Sequence, residues 1–299
     1  MQLIPLVLLG LSLAPSQSPT YDRKDDVVYG RKYGFALTMD VLTPKEKKNG
    51  AGLIFIASGG WFSDKGMIVP ANLEEFLRRG YVVFAVMHAC QPRFTIPEVL
   101  DDINRSVRYI RHSAKEFGVD PDRIGVMGSS AGGHLSLMQG CAPRAGDPKA
   151  ADPVDQQSAK VAAVACFFPP TDFLNYGRAD QEALGTGVLK GFKAPFDFVE
   201  FNSRTNSFDL VSDPDKRREI GKQISPITHI SEKSAPTLII HGDADSLVPI
   251  QQAQIFIDKM KAAKVPCELV VKKKGGHGWP GIEKDFAVLA DWFDKYLLK

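Results

Sequence analysis

The sequence predicts an α/β fold in which a mostly parallel sheet is covered on both faces by helices. Three observations carry that prediction. Continuous apolar runs of strand length recur along the chain and suit strands buried on both faces. Between them lie segments whose apolar residues recur at helical spacing and close on glycine. At 124–138 one such run passes through a glycine-flanked serine directly into a helical pattern. In sheets of this kind ligands bind beyond the carboxyl ends of the strands.

Taken in order, residues 27–29 and 36–42 read as two short strands joined by a turn at Tyr33-Gly34, and a lysine-rich solvated loop follows at 44–50. Residues 52–57 form a central strand that runs into Ser58-Gly59-Gly60-Trp61. Leu73, Phe76 and Leu77 share one face of a helix over 72–79, ended by Gly80, and 81–87 is another buried strand. Val99, Leu100, Ile103, Val107, Ile110 and Ala114 make 97–117 one long amphipathic helix stopped by Gly118. Strands follow at 124–127 and 161–168. From 173 to 223 the rhythm breaks, in a piece holding phenylalanines 173, 192, 196, 198, 201 and 208, and it reads as a small cap insertion. The rhythm returns with a strand at 236–240, a helix at 251–262, a strand at 267–271 and a closing helix at 285–298.

Composition bounds the rest. A chain of 299 residues holds one large α/β domain or two smaller ones, and 44% hydrophobic with 24% charged residues is ordinary for a globular protein. A net charge of +2 gives no electrostatic footprint for nucleic acid or an anionic membrane. There is no internal repeat and no apolar stretch long enough for a spanning helix. Leu3 to Leu13 is almost wholly apolar, with small residues at Ala14 and Ser16. This reads as a signal peptide over 1–16, a mature chain from near Gln17, and a secreted or periplasmic protein. Cys90, Cys141, Cys166 and Cys267 lack close pairing or metal-type spacing and read as buried free thiols.

The chemistry centres on Gly128-Ser129-Ser130-Ala131-Gly132. A serine between glycines, at the junction of strand and helix, fits a nucleophile elbow. Residues without side chains are needed at 128 and 132 because backbone passes close by, and the helix starting there aims free N–H groups at the reacting centre. The five residues alone are a weak signal, so partners elsewhere decide.

A serine nucleophile needs a base, and the base needs an orienting acid. Of six histidines, His134 lies one turn past Ser130 on the elbow helix and faces away. His112 and His229 suit structural roles, while His88 and His241 close strands at the right edge of the sheet. His277 stands in Gly275-Gly276-His277-Gly278, where flanking glycines let a loop histidine reach over a site, and it is the expected base. The acid belongs on a strand end between serine and histidine. His241-Gly242-Asp243-Ala244-Asp245 offers two carboxylates, and spacing alone does not choose between Asp243 and Asp245. An oxyanion hole needs two backbone donors: Ala131, just after the nucleophile, and Gly59 or Gly60 from the loop after the 52–57 strand. Trp61, Phe94 and the cap phenylalanines suggest an aromatic-lined substrate pocket, with core packing as the alternative explanation.

These stretches, together with Ser225-Pro-Ile-Thr-His-Ile230, resemble the α/β-hydrolase superfamily, and within it the carboxylesterase branch of feruloyl- and acetylxylan-type esterases. The resemblance implies an eight-stranded, mostly parallel sheet, Asp245 as the triad acid with Asp243 a structural neighbour, and no cofactor or metal. It implies a serine carboxylic-ester hydrolase acting on small-molecule or polysaccharide-linked esters. The chain departs from the family where the oxyanion loop usually reads His-Gly-Gly-Gly-Trp, because this one reads Ala57-Ser58-Gly59-Gly60-Trp61. Two other readings share parts of the pattern. A prolyl-oligopeptidase-type peptidase uses the same catalytic half but needs a propeller for which the N-terminal residues are too few, and a non-catalytic hydrolase-fold binding protein typically loses a triad member. Oligomeric state is not legible.

Overall fold

The structure is a computed structural model that describes residues 20–299, so the expected signal segment lies outside the described residues. In chain order its strands are β1 (Tyr21–Lys32), β2 (Phe35–Pro44), β3 (Gly52–Ile56), β4 (Val82–Val86), β5 (Ile124–Ser129), β6 (Ala163–Phe167), β7 (Val199–Asn202), β8 (Ser207–Leu210), β9 (Thr237–Gly242) and β10 (Cys267–Lys272). The α-helices are α1 (Glu74–Arg78), α2 (Ile96–His112), α3 (Ala114–Phe117), α4 (Ala131–Cys141), α5 (Pro214–Gln223), α6 (Gln251–Ala262) and α7 (Phe286–Leu297).

Eight strands form one sheet in the order β1-β2-β4-β3-β5-β6-β9-β10, and β7 pairs with β8 in a separate hairpin. The first two contacts, β1 with β2 and β2 with β4, are antiparallel, and every later pairing is parallel. β4, β5 and β6 are buried along nearly their whole length, as strands covered on both faces must be. One apolar cluster packs α2, α4 and α6 on one face of the sheet, and the other packs α1 and α7 against the opposite face.

Three expectations need correction. β1 is 12 residues long and begins at Tyr21. Its first half is polar because it is an edge strand exposed to water, so hydrophobic patterning could not mark it. The helix expected over 97–117 breaks at Ser113 into α2 and α3, and Gly118 closes α3 in the left-handed conformation. The segment 173–223, expected to be a cap insertion, is regular in part: two 3-10 turns, the β7–β8 hairpin and α5. Arg217 gathers it, donating to the carbonyls of Phe196 (3.1 Å), Leu184 (3.2 Å) and Val211 (3.4 Å) while lying over the Phe198 ring. All four cysteines are free, but only Cys166 is fully buried.

Candidate active site

β5 delivers Ser130 to the carboxyl edge of the sheet in a strained backbone state, with φ 53° and ψ −118°. Such a conformation costs a non-glycine residue of order 1–3 kcal/mol and persists only where the surroundings impose it. The imposing contacts are visible. A Cβ on Gly128 would meet the Gly132 carbonyl carbon at 2.5 Å, and one on Gly132 would meet the Ile56 carbonyl oxygen at 2.7 Å. Only glycine fits at either place. The Ser130 N–H donates to Phe167 O (3.0 Å), and the Ser130 carbonyl accepts from His134 as the first turn of α4.

The loops after β9 and β10 bring the other two groups to it. His277 Nε2 is 2.9 Å from Ser130 Oγ, and His277 Nδ1 is 2.8 Å from Asp245 Oδ2. With Nδ1–H donated to the carboxylate, Nε2 keeps its lone pair for the serine hydroxyl. The other Asp245 oxygen accepts from the N–H groups of Leu247 and Val248, each at 2.9 Å. Burial opposes ionisation of Asp245, but hydrogen bonding from the His241 and His277 side chains and from Val248 N–H outweighs it. The carboxyl is held well below the usual carboxylate range. Asp243 is elsewhere: it accepts from Lys274 N–H (2.6 Å) and pairs with Lys273 (3.3 Å), tying the β9 and β10 loops together. The loops touch so closely that a Cβ on Gly242 would lie 2.2 Å from Gly275 O. Asp285, at the head of α7, steadies the histidine loop by accepting from Trp279 Nε1 (2.7 Å) and Lys272 Nζ (2.6 Å).

The loop at 57–62 faces Ser130 from the other side, and here sequence reasoning needs one correction. Gly59 was an expected donor, yet its N–H is already given to Phe62 O (3.0 Å) in a two-way bridge. Gly60 and Ala131 donate to no acceptor among the described residues. Trp61 was expected against substrate. Its indole is 2% exposed, packed on Phe173 and Phe196, with Nε1–H donated to His134 Nδ1 (3.1 Å), while the residue also walls the small space at Ser130. A ring of that size finds more apolar contact beneath the loop than above it. Phe94 is remote in role, stacked on Tyr33 beside the β1–β2 turn.

Two residues that sequence reasoning left without a role brace this loop. Ser58 stands where the family usually has glycine, and its Oγ–H is donated to His88 Nε2 at 2.9 Å while His88 Nδ1–H is donated to Ala89 O at 2.7 Å. Ser58 O accepts from Gly132 N–H (3.3 Å), and Ser63 links Ala57 O to His88 N–H. Burial pushes both His88 and His134 down to about 4, so each is a neutral strut at working pH. No pattern in the sequence announces these pairs, since their members are 30 and 73 residues apart.

Above Ser130 lies a small, half-open apolar cleft walled by Gly60, Trp61, Pro170, Leu189, Phe192, Leu247 and Val248. A larger apolar cavity of about 330 Å³ runs behind the elbow past Gly59, Ser129, Phe167 and Phe286, but Ser130 is not among its walls. Among the described residues no group of three or more His, Cys, Asp or Glu side chains is placed to hold a metal ion, and no helix is long and apolar enough to cross a membrane.

Fold and site together define an α/β-hydrolase of the carboxylesterase branch. Residues 39–260 match the model of the BD-FAE family, and the chain belongs to that family. It is 29% identical to the probable carboxylic ester hydrolase LipM of Mycobacterium tuberculosis, over 81% of this chain and 52% of that protein. It is also 29% identical to esterase LipC of the same organism, over 70% of this chain and 48% of that protein. The chain thus spans about half the length of the curated relatives it matches. A solved structure titled as a truncated carbohydrate esterase from gut microbiota superposes with a TM-score of 0.76 at 25% identity, covering 94% of this chain and 98% of its own.

Proposed function

We propose that the protein is a serine hydrolase of carboxylic esters that works through an acyl-enzyme, on short-acyl or polysaccharide-linked esters. The observation that carries the reading is the unbroken relay from Ser130 Oγ through His277 to Asp245, at 2.9 and 2.8 Å, on a strained elbow. His277 Nε2 takes the hydroxyl proton as Ser130 Oγ bonds to the ester carbonyl carbon. Asp245 holds the tautomer and offsets the imidazolium charge. The tetrahedral oxyanion rests on the N–H groups of Ala131 and Gly60, at the start of α4, where the helix dipole favours negative charge. Collapse breaks the bond to the alcohol oxygen, which leaves with the proton from His277. A water then repeats the cycle on the acyl-enzyme, releasing the acid and restoring the serine.

The carbohydrate esterase among the structural relatives supports a sugar-borne ester, and an apolar N-terminal stretch read as an export signal supports a substrate outside the cytoplasm. Export is tested by fractionating cells that express the full chain: recovery in the cytosol with the N-terminus intact would refute it. For the chemistry, Ser130→Ala is expected to abolish both p-nitrophenyl acetate turnover and labelling by a fluorophosphonate probe. Full retention of either would falsify the nucleophile assignment.

A further inference from the structure

We propose that Phe168 is a positioning residue for the reaction: its ring supports the imidazole of His277 and acts through it. The proposal rests on the ester-hydrolase reading and adds to it a residue outside the relay. Among the described residues no two aromatic rings lie closer than these, with centroids 4.4 Å apart and planes inclined at 51°.

Phe168 reaches that place from the strand between the other two groups. β6 lies between β5, which carries Ser130, and β9, which leads to Asp245. Phe167 O accepts from Ser130 N–H (3.0 Å), and Phe168 N–H is donated to Ile240 O (2.9 Å), so the strand end is tied to both neighbours. Phe168 sits there at φ 36°, in the left-handed region. Glycine would adopt that conformation freely, whereas a bulky side chain holds it only where its surroundings impose it. The backbone alone gives no reason for an aromatic residue here. The contacts of the ring do: beyond His277 it meets the Trp279 ring at 5.9 Å and the His241 ring at 6.4 Å, both edge to face.

His277 needs such support. Its bonds to Asp245 and Ser130 hold the two ends of the imidazole, but they lie along one line across the ring and do not stop it rolling about that line. The backbone is a poor brace, since Gly275, Gly276 and Gly278 flank the residue and a Cβ on Gly278, at φ 113°, would meet nothing within 4 Å. A ring packed against the imidazole removes that freedom. Its π face, negative in charge, also lies within the reach of about 6 Å at which aromatic rings attract cations, so it favours the imidazolium that forms during the reaction. An aliphatic side chain of similar size offers packing without that attraction.

The test measures kcat and KM for p-nitrophenyl acetate in the full chain, wild type against Phe168→Leu, Phe168→Met and Phe168→Tyr. The aliphatic variants are expected to lose about tenfold in kcat with KM within about twofold, because His277 serves both halves of the reaction. Phe168→Tyr is expected to keep most of the rate. For ethyl acetate, kcat/KM is expected to fall further than for p-nitrophenyl acetate, since ethoxide must take the proton from His277 and p-nitrophenolate leaves without it. Phe293→Leu makes the same exchange in the same apolar cluster, where the ring packs on Phe76, and is expected to lower the urea midpoint while sparing kcat. Aliphatic variants with wild-type kcat would overturn the assignment, and so would equal losses for the two acetates. A loss of rate in Phe293→Leu as large as in Phe168→Leu would reduce the effect to general loosening and overturn it too. A soluble wild type that turns over no ester and takes no fluorophosphonate overturns the hydrolase reading itself. An active, labelled wild type with unmoved variants defeats only the role of Phe168.

Discussion

The two sides of Ser130 use the same residue type in opposite ways. On the side of β9 and β10, His277 is a quarter exposed, pairs with a carboxylate held ionised, and faces the serine. On the side of β3 and β4, His134 and His88 are 0% and 6% exposed, meet only neutral partners, and are pushed down to about 4 by burial. A group that must gain and lose a proton needs an opposite charge to stabilise its charged form and some access to water. A group that must hold a loop still is better kept from ionising at all, because a buried charge there would repel the donors it is meant to position. Histidine chemistry is therefore set by what surrounds the ring, and the site contains both outcomes within one turn of the elbow.

The comparison predicts its largest contrast in activity. His277→Ala is expected to lower kcat by about 10⁶-fold and Asp245→Asn by about 10⁴-fold, the losses seen when a triad base or its orienting acid is removed. Steady-state ester hydrolysis with unchanged circular dichroism is the check. A loss of tenfold or less for His277→Ala would mean that another group takes the proton.

The proton-transfer side was also the legible side. Ser130, Asp245 and His277 each sit on a short loop after their own strand, flanked by glycines or a second acid, so a linear pattern marks them. Only the choice between Asp243 and Asp245 stayed open from the residues themselves, because both lie on one loop, and the resemblance favoured Asp245. The bracing side was illegible for a physical reason. Gly59 looks like a donor until the fold shows Phe62 O opposite it, and nothing in the sequence shows that Trp61 also donates to His134. Such pairings depend on which strands become neighbours. Likewise the parallel strands β3 to β6 were plain from their apolar runs, while the polar start of β1 was hidden because an edge strand has little to bury.

If the bracing side works through fixed neutral pairs, Trp61→Phe tests it next. The ring still fills the space between Phe173 and Phe196, but His134 Nδ1 is left buried with no donor. A loss of about 1–3 kcal/mol of stability is expected, the cost of an orphaned buried acceptor. Chemical denaturation midpoints read it directly. No change in midpoint would show that the hydrogen bond is replaced by water and that the strut is only a packing contact.

The neutral struts also predict how stability follows pH. His88 and His134 bind protons near 6.5 when unfolded but only near 4 when folded, so over that window the unfolded state holds more protons and acidification destabilises. Asp102 runs the other way, since burial raises it to about 6 and the folded state takes its proton first. Two histidines against one carboxylate leave a net loss of about 1.4 kcal/mol per pH unit between 6 and 4.5. Urea midpoints across that range are expected to fall steadily as pH falls, and less steeply in His134→Gln. A flat profile would mean the histidines are not kept neutral by the fold.

The smallest effect falls on Ser58, where this chain departs from its family. Ser58→Gly restores the usual residue but removes the hydroxyl that donates to His88, so the family's own choice is expected to be the worse one here. The hydrogen bond is worth about 0.5–1.5 kcal/mol, which as a shift in oxyanion stabilisation is roughly two- to tenfold in kcat with KM unchanged. Ser58→Thr keeps the hydroxyl and is expected to keep most of the rate. The decisive measurement is the double-mutant cycle with His88→Leu. If the serine acts through the histidine, removing it costs little once the histidine is gone, and the two losses do not add. Full additivity would place Ser58 on the loop for some purpose other than holding Gly60 toward the charge that develops beside it.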